Sequence, residues 1–208
     1  MHLLMRLPVL ALLFVSTAAD AAQLSDVEKR KPLATRGERP AAKLRLLDLE
    51  GQPVDPFQPT NVKARVFIFV SNECPIANRY APEIRRLSTH FASNAIPFCL
   101  VHPEPDETPG SIAKHMKDYQ FTCRVLRDPE HLLVTRARAR VTPEAAVFGP
   151  DSQLLYHGRI DNRYVDFGKM RPAATEHDLQ NVLEAIVRGK SVPVRETRAV
   201  GCYISKLP

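Results

Sequence analysis

The residues with the clearest chemical potential are Cys74 and Pro75, which follow the apolar run ARVFIFV at 64–70 by only a few positions. The run predicts a strand buried on both faces. From Pro75 onward, apolar residues recur at intervals of three and four, which predicts a helix. A cysteine at the start of a helix lies near unpaired backbone N–H groups and the positive end of the helix dipole. These conditions favour the thiolate, the nucleophilic form of cysteine, and Pro75 fits the first helical turn.

Cys74 has no second cysteine three positions later, because that position is Ala77. Its thiol is therefore a reactive group without a neighbouring partner, one half of a more distant pair, or a metal ligand. The other cysteines are Cys99, Cys123 and Cys202. Cys99 lies within a predicted apolar strand, which is typical of a small core residue, whereas Cys123 opens a shorter strand between polar residues. Four cysteines are too few for a disulfide scaffold, so the core must be hydrophobic.

Residues 1–21 have the pattern of a secretory signal peptide. A positively charged start, MHLLMR, precedes the apolar stretch LPVLALLFVSTAA and the small-residue cleavage pattern Ala19-Asp20-Ala21. We expect export to a periplasmic or extracellular location, with no stable membrane span after cleavage. The alternative is an uncleaved membrane anchor. An oxidising compartment permits disulfides, and four cysteines allow three full pairings.

The rest of the chain predicts one main domain. Residues 22–42 are charged and contain proline, which indicates an irregular arm; residues 43–190 form the domain, and residues 191–208 are a tail that carries Cys202. The net charge is +6, but the basic residues are spread out apart from small clusters such as RARAR at 136–140. No aromatic residues alternate with these clusters, so we expect no nucleic-acid partner.

Predicted strands and helices alternate along the domain and end in a β-hairpin and a last helix. The stretch 129–140 predicts a helix with Pro129 near its first turn. Residues 144–160 predict two strands around a Pro-Asp-Ser turn, and residues 174–190 predict a helix capped by Thr175 and ended by Gly189. This order indicates a layered α/β sheet with helices on both faces.

These features resemble the thioredoxin superfamily, and within it the redoxin or AhpC/TSA (peroxiredoxin-like) branch with a single active-site C-P cysteine. Cys74-Pro75 after a strand, with Pro82 in the following helix, is similar to the active-site helix of that family. Thr142-Pro143 before a strand is similar to the family's cis-proline loop, which lies beside the active cysteine. The resemblance covers roughly residues 43–190. It implies an α/β thioredoxin-like fold, with a central mixed β-sheet flanked by helices on both faces.

The resemblance implies an exported thiol oxidoreductase in which Cys74 is the nucleophile and forms a mixed disulfide or a sulfenic acid. Ser71 would hydrogen-bond near the sulfur, as in the S-x-x-C pattern of peroxiredoxins. The implied substrate-binding residues are Pro75, Thr142 and Pro143. The partners would be a protein thiol or disulfide, or a small peroxide, together with an external thiol reductant.

Two departures from the peroxiredoxin pattern argue against fast peroxidase activity. Phe67 stands where the motif has its shielding proline. No peroxide-activating arginine can be assigned by spacing, and Arg140 and Arg159 are the candidates. The sequence therefore predicts a thiol–disulfide oxidoreductase or a weak peroxiredoxin-like peroxidase.

The resemblance also implies a partner for Cys74. Some exported redoxin-like proteins with a C-P active site carry a terminal G-C-x-I, which Gly201-Cys202-Tyr203-Ile204 matches. A tail after the last helix can fold back over the active-site end of the sheet, where Val200 and Ile204 could dock it. We therefore expect Cys202 to resolve the Cys74 intermediate. A permanent structural Cys74–Cys202 bridge is an alternative, and Cys99 with Cys123 could be a bridge or two free thiols.

A different class of function is a non-catalytic copper-binding or copper-assembly module. Thiolate and imidazole suit Cu(I), and the ligand set would be drawn from Cys74, Cys202, His102 and His157. The copper-assembly proteins of this fold need C-x-x-x-C, whereas the last position here is Asn78. The enzyme hypothesis needs no cofactor, and the alternative needs copper.

Overall fold

A computed structural model of the protein describes residues 44–58 and 61–207. Within these residues the strands are β1 (Leu46–Leu47), β2 (Pro53–Val54), β3 (Arg65–Phe69), β4 (Phe98–His102), β5 (Arg124–Arg127), β6 (Val141–Thr142), β7 (Glu144–Phe148), β8 (Leu154–Gly158), β9 (Tyr164–Asp166), β10 (Lys169–Met170) and β11 (Cys202–Tyr203). The helices are α1 (Pro75–Arg79), α2 (Ala81–Phe91), α3 (Pro109–Asp118), α4 (Leu132–Ala137) and α5 (Asp178–Val187). The predicted signal peptide and arm lie outside the described residues. No helix in the described part is long and apolar enough to cross a membrane.

The central sheet has seven strands in the order β2-β1-β5-β4-β3-β7-β8. The strands β3, β4 and β5 are parallel neighbours, whereas β7 runs antiparallel to both β3 and β8. Two small two-stranded sheets, β9 with β10 and β6 with β11, complete the fold. The predicted mixed sheet is therefore confirmed, and the predicted hairpin corresponds to β7 and β8.

The side chains of β3 alternate between two hydrophobic clusters, one on each face of the sheet. Val66 and Ile68 pack in the cluster that contains the apolar faces of α2 and α5. Phe67 and Phe69 pack in the cluster that contains the buried side of α4. Helices therefore cover both faces, which is why the run at 64–70 is continuously apolar.

Several predicted helix boundaries are wrong. The helix predicted at 129–140 is shorter in the structure, where α4 covers only Leu132–Ala137. It begins late because His131, immediately before it, adopts a left-handed conformation with φ of 53°. The predicted cap Thr175 lies outside α5, which follows His177. Thr175 instead exchanges hydrogen bonds with Asn162, whose Oδ1 accepts the Thr175 N–H and whose Nδ2 donates to the hydroxyl. The helix predicted from Pro75 is divided at Tyr80 into α1 and α2.

Candidate active site

Cys74 lies immediately before α1, at the carboxyl end of β3, and its side chain is only 1% exposed. The Cys74 sulfur accepts the N–H of Ala77 at 3.4 Å, so it occupies the position that a serine or aspartate usually takes before a helix. The Cys74 thiol in turn donates to the backbone carbonyl of Thr142 at 2.8 Å. Pro75 is the first residue of α1, as the sequence predicts. The thiol is therefore held between the start of a helix and the loop before β7.

The loop at 140–143 brings Thr142 and Pro143 beside this sulfur. The Thr142–Pro143 peptide bond is cis, as the resemblance implies. The buried carboxylate of Glu144 holds the loop, because its Oε2 accepts the N–H groups of Arg140 and Val141 at 2.8 and 3.2 Å. The sequence analysis missed Glu144, although a carboxylate directly after a cis-proline is an available signal.

The C-terminal tail binds this loop as a strand. β11 pairs antiparallel with β6, with Cys202 opposite Thr142 and Tyr203 opposite Val141. The pairing continues where the N–H of Ile204 donates to the carbonyl of Arg140 at 3.0 Å. A tail strand therefore covers the loop that contacts the Cys74 thiol.

An earlier part of the tail lies along β8. His157 donates its N–H to the carbonyl of Arg195 at 3.0 Å, and Thr197 donates to the carbonyl of His157 at 3.2 Å. Gly158, with φ of 141°, allows this approach, since a Cβ there would lie 2.3 Å from the carbonyl oxygen of Thr197. Further along, Val200 packs on one hydrophobic cluster and Ile204 on the other, as predicted. The tail is thus attached at two places.

The docked tail brings Cys202 beside Cys74, because Cys202 is paired with Thr142, whose carbonyl accepts the Cys74 thiol, and both cysteines line one cleft. All four cysteines are unbridged. Burial raises the pKa of Cys202 to about 12, with further contributions from the neighbouring Cys74 thiol and from the charge of Glu104. The structure therefore brings together the two cysteines that the sequence analysis expected to react, in the reduced state.

The sequence suggests that the Ser71 hydroxyl hydrogen-bonds near the Cys74 sulfur, but in the structure this hydroxyl binds Glu107. The Ser71 hydroxyl donates to Oε1 of Glu107 at 2.8 Å, and the same oxygen accepts the N–H of Asn72 at 2.6 Å. The other oxygen, Oε2, lies 2.5 Å from Nδ1 of His102. Burial alone would raise the pKa of Glu107, but the hydrogen bonds from His102, Asn72 and Ser71 outweigh it, so this pKa lies below the usual value. Glu107 therefore fixes the segment that leads into Cys74.

A second histidine extends this buried network. Nε2 of His115 lies 2.8 Å from Oδ1 of Asn78, so this nitrogen carries the proton, and Nδ2 of Asn78 donates to the carbonyl of Asn72 at 2.9 Å. The rings of His102 and His115 stand 5.6 Å apart, nearly perpendicular. Burial, followed by the charge of His102, lowers the pKa of His115 to about 4. The sequence analysis missed Glu107 and the role of His115.

The cleft above the two thiols has a volume of about 580 Å³. Its lining includes the two sulfur-bearing residues, the segment 71–73, Thr142 and Tyr203. The remaining lining residues are Glu104, Asp106, Glu107, Thr108 and Ser111. Cys74, Cys202, Ser71 and Thr142 therefore share one cleft, in which a small molecule or an extended peptide has room.

The candidate peroxide-activating arginines lie elsewhere. Arg159 is bound by the carboxylates of Asp178 and Glu176, the former at 2.7 Å from its Nε. Arg140 faces a separate cavity of about 350 Å³ and lies 3.8 Å from Glu196. Among the described residues that line the Cys74 cleft there is no arginine or lysine.

The four candidate copper ligands do not converge. His102 is held by Glu107, and the two ring nitrogens of His157 lie 3.5 and 3.6 Å from Glu144 and Glu196. Within the described part of the chain, three potential ligands come within 4.8 Å of one another only at Glu83, Asp161 and His177. Neither His102 nor His157 therefore completes a compact three-ligand site with Cys74 and Cys202.

Cys99 and Cys123 are both free thiols in the structure. Cys99 packs in the hydrophobic cluster with Phe67, whereas Cys123 packs against the opposite cluster. Burial raises the pKa of Cys99, with a smaller contribution from Cys123, and burial raises the pKa of Cys123 itself to about 11. Both behave as core thiols.

No family model matches the chain, and no curated protein matches it. Solved structures do match. An uncharacterised conserved protein from Geobacillus kaustophilus is 22% identical, with a TM-score of 0.70 over 81% of this chain and 90% of that one. A hypothetical protein from Sinorhizobium meliloti 1021 is 23% identical, with a TM-score of 0.67 over 79% and 91%. A thioredoxin-like protein from Aeropyrum pernix is 16% identical, with a TM-score of 0.50 over 71% and 89%. The chain therefore has the thioredoxin-like α/β fold that its sequence suggested.

Proposed function

We propose that this protein is an exported thiol–disulfide oxidoreductase of the redoxin type, with Cys74 as the nucleophile and Cys202 as the resolving thiol. The observation that carries the proposal is the placement of Cys202 beside Cys74 in one cleft, where β11 pairs Cys202 with Thr142 and the Thr142 carbonyl accepts the Cys74 thiol. A resolving thiol must reach the sulfur of the mixed disulfide, and this placement already supplies that proximity.

The contacts favour disulfide exchange over peroxide reduction. In the AhpC/TSA branch the Ser71 hydroxyl would serve the peroxide, but here it donates to Glu107. The lining of the cleft also lacks an arginine that could polarise a peroxide, as described above. A peroxide could still oxidise Cys74 to a sulfenic acid, with Cys202 displacing water to form the same disulfide. We propose disulfide exchange as the principal reaction, and the placement in that branch rests on the sequence resemblance.

Trapping the intermediate tests the roles of the two cysteines. The reduced protein would be mixed with 2-hydroxyethyl disulfide, quenched with acid and analysed by mass spectrometry. The Cys202→Ser variant should accumulate the mercaptoethanol adduct on Cys74, while the native protein should pass to an intramolecular disulfide and Cys74→Ser should form neither. Cys99→Ser is the matched control and should behave like the native protein. An unmodified Cys74 in the Cys202→Ser variant would contradict the proposal.

Export is the second part of the proposal, and it rests on the signal-peptide pattern of residues 1–21. We expect the mature protein to begin at Ala22, in the periplasmic or extracellular fraction. N-terminal sequencing of the protein recovered from each fraction measures this. A full-length chain retained in the membrane fraction would instead support the uncleaved anchor.

Copper binding is a second candidate, and the placement of two thiols in one open cleft is the observation that favours it. Two sulfurs can hold Cu(I) without the histidines. Titration of the reduced protein with Cu(I) against a competing chelator should then show one-to-one binding that is lost in both Cys74→Ser and Cys202→Ser. Binding that survives either substitution would rule out this site.

A further inference from the structure

The cleft that contains the two thiols is acidic, although the chain carries a net charge of +6. Four carboxylates line it, from Glu73, Glu104, Asp106 and Glu107, and no lysine or arginine is among its described lining residues. Glu73 and Asp106 are exposed, and Glu104 is half-buried. The sulfur atoms therefore lie at the base of a cleft with a concentrated negative charge.

Only one of these four carboxylates has its negative charge offset by a neighbouring histidine and other hydrogen-bond donors. Glu107 is buried and takes three hydrogen-bond donors, including His102. Glu104 accepts from Ser205, which is uncharged. The ion pairs among the described residues include none of Glu73, Glu104 and Asp106. Three negative charges at the mouth of the cleft thus remain available to an incoming molecule.

We propose that the site selects disulfides that carry a positive charge beside the sulfur, and that it disfavours anionic disulfides. This inference rests on the proposed function and names its substrate class. Carboxylates around a cleft attract a cationic substrate and repel an anionic one, which changes the rate of encounter. The chemical class includes small cationic disulfides and disulfides flanked by lysine or arginine in an extended polypeptide.

The same charges affect the chemical step. The Glu104 carboxylate disfavours negative charge at Cys202, as its contribution to the raised pKa of Cys202 shows. A cation bound among Glu73, Glu104 and Asp106 offsets that field while negative charge develops on the reacting sulfurs. A positive substrate therefore assists thiolate formation as well as binding.

The reaction balances with the disulfide as the oxidant. The Cys74 thiolate attacks R–S–S–R, forming the Cys74–S–S–R bond and releasing R–S⁻, which takes up a proton. The Cys202 thiolate then attacks the Cys74 sulfur, forming the Cys74–Cys202 bond and releasing the second R–S⁻. One disulfide is reduced to two thiols, and the two cysteine thiols are oxidised to one disulfide.

A charge series of small disulfides tests the selectivity. The reduced full chain would be mixed separately with cystamine, 2-hydroxyethyl disulfide and 3,3′-dithiodipropionate, which carry positive, no and negative charge. Each rate of Cys74 oxidation is divided by the rate at which the same disulfide reacts with free 2-mercaptoethanol. This normalisation removes differences in the intrinsic reactivity of the three disulfides. We expect the normalised rates to fall in that order, by about tenfold or more between the two charged compounds at low salt, and to converge at about 0.5 M salt.

Charge-removing variants show whether the cleft causes the order. The Glu73→Gln/Asp106→Asn double variant should lose most of the preference, whereas Glu50→Gln/Glu130→Gln, which removes the same charge from exposed sites outside the cleft lining, should keep it. Equal normalised rates for the three disulfides, or a preference unchanged in the cleft variant, would overturn the selectivity and leave the proposed function intact. No reaction of Cys74 with any of the three would overturn both.

Discussion

Gly201 lies directly against the backbone of Thr142: a Cβ atom added to Gly201 would stand 2.1 Å from the Thr142 carbonyl oxygen. The same carbonyl accepts the Cys74 thiol, and the next residue of the tail is Cys202. Position 201 must therefore be glycine if the tail is to bring the Cys202 thiol to the Cys74 thiol. The requirement is close approach of two backbones, and Gly201 is not among the glycines with a positive φ.

Gly201→Ala should detach β11 from β6, because the added methyl group meets a backbone atom that cannot move aside. We expect alkylation of Cys74 by iodoacetamide to become at least about tenfold faster, which corresponds to about 1.4 kcal/mol of lost docking free energy. Oxidation to the intramolecular disulfide should slow by a similar factor. Gly110→Ala is the control, since a Cβ there meets nothing within 4 Å. Equal alkylation rates in native and Gly201→Ala proteins would show that the tail tolerates the methyl group.

Glu107→Gln should destabilise the protein and loosen the approach to Cys74. The glutamine amide keeps one acceptor oxygen but loses the negative charge of the Glu107 carboxylate, which Ser71, Asn72 and His102 contact. Removing one partner of a buried ionic network costs about 3 kcal/mol, whereas Ser71→Ala removes one donor and should cost about 1 kcal/mol. Urea unfolding measures both. Exposed Glu130→Gln should stay within about 0.5 kcal/mol of the native protein, and a Glu107→Gln loss of that size would mean that the network is not structural.

The parts of the site that depend on local sequence could be predicted. Cys74 at a helix start is visible because an apolar strand, a proline and a helical period follow one another, and Pro143 is visible because it precedes a buried strand. Glu107 could not be found this way, since its contact with Ser71 joins residues 36 positions apart. One signal for this polar cluster existed. Ser71 follows β3 and His102 is the last residue of β4, and the carboxyl ends of these neighbouring parallel strands meet at one edge of the sheet.

The C-terminal tail could be predicted only in part from the sequence. Its docking through Val200 and Ile204 could be anticipated, but β11 has only two residues and no strand pattern of its own. The pairing depends on the free edge that β6 presents, which is a tertiary property. The beginning of α4 could not be predicted for a similar reason, because the left-handed His131 is held by a hydrogen bond to the carbonyl of Pro103, 28 residues away.

His115 should make the protein sensitive to acid. Its pKa in the folded protein is about 4, below the ordinary histidine value of 6.5, so the neutral form is favoured in the folded state. This contribution to stability is complete above pH 6.5 and is lost as the pH falls from 6.5 towards 4. Its size is on the order of 3 kcal/mol, and urea unfolding at a series of pH values measures it.

The His115→Gln variant should show a flatter decline in stability between pH 6.5 and 4, whatever its stability at neutral pH. The control is His90→Gln, because His90 is exposed on α2 and its replacement should leave the slope unchanged. Glu107, whose pKa lies below its usual value, adds a loss of stability only at lower pH, below about 4.5. An identical slope in His115→Gln and native protein would assign the acid sensitivity to other groups.

Cys99 and Cys123 should be inert under conditions in which the Cys74 site reacts. Burial raises the pKa of Cys123 to about 11 from its ordinary value of 9.0, so its thiolate population at pH 8 is about a hundredfold lower than that of an unperturbed thiol. Since the thiolate is the nucleophile, alkylation by iodoacetamide should be slower than in a cysteine peptide by about the same factor. The raised pKa and the burial of Cys99 predict an even slower reaction.

Peptide mapping after timed alkylation at pH 8 measures these rates, and denatured protein provides the control in which all four cysteines react alike. Oxidation of the native protein should then yield the Cys74–Cys202 disulfide without a Cys99–Cys123 bridge, because the latter two side chains pack on opposite faces of the sheet. A Cys99–Cys123 disulfide in folded, oxidised protein would require β4 and β5 to part, since Cys99 is paired with Arg124 in the register of those strands. Its detection would therefore contradict the packing of these two side chains on opposite faces of the sheet.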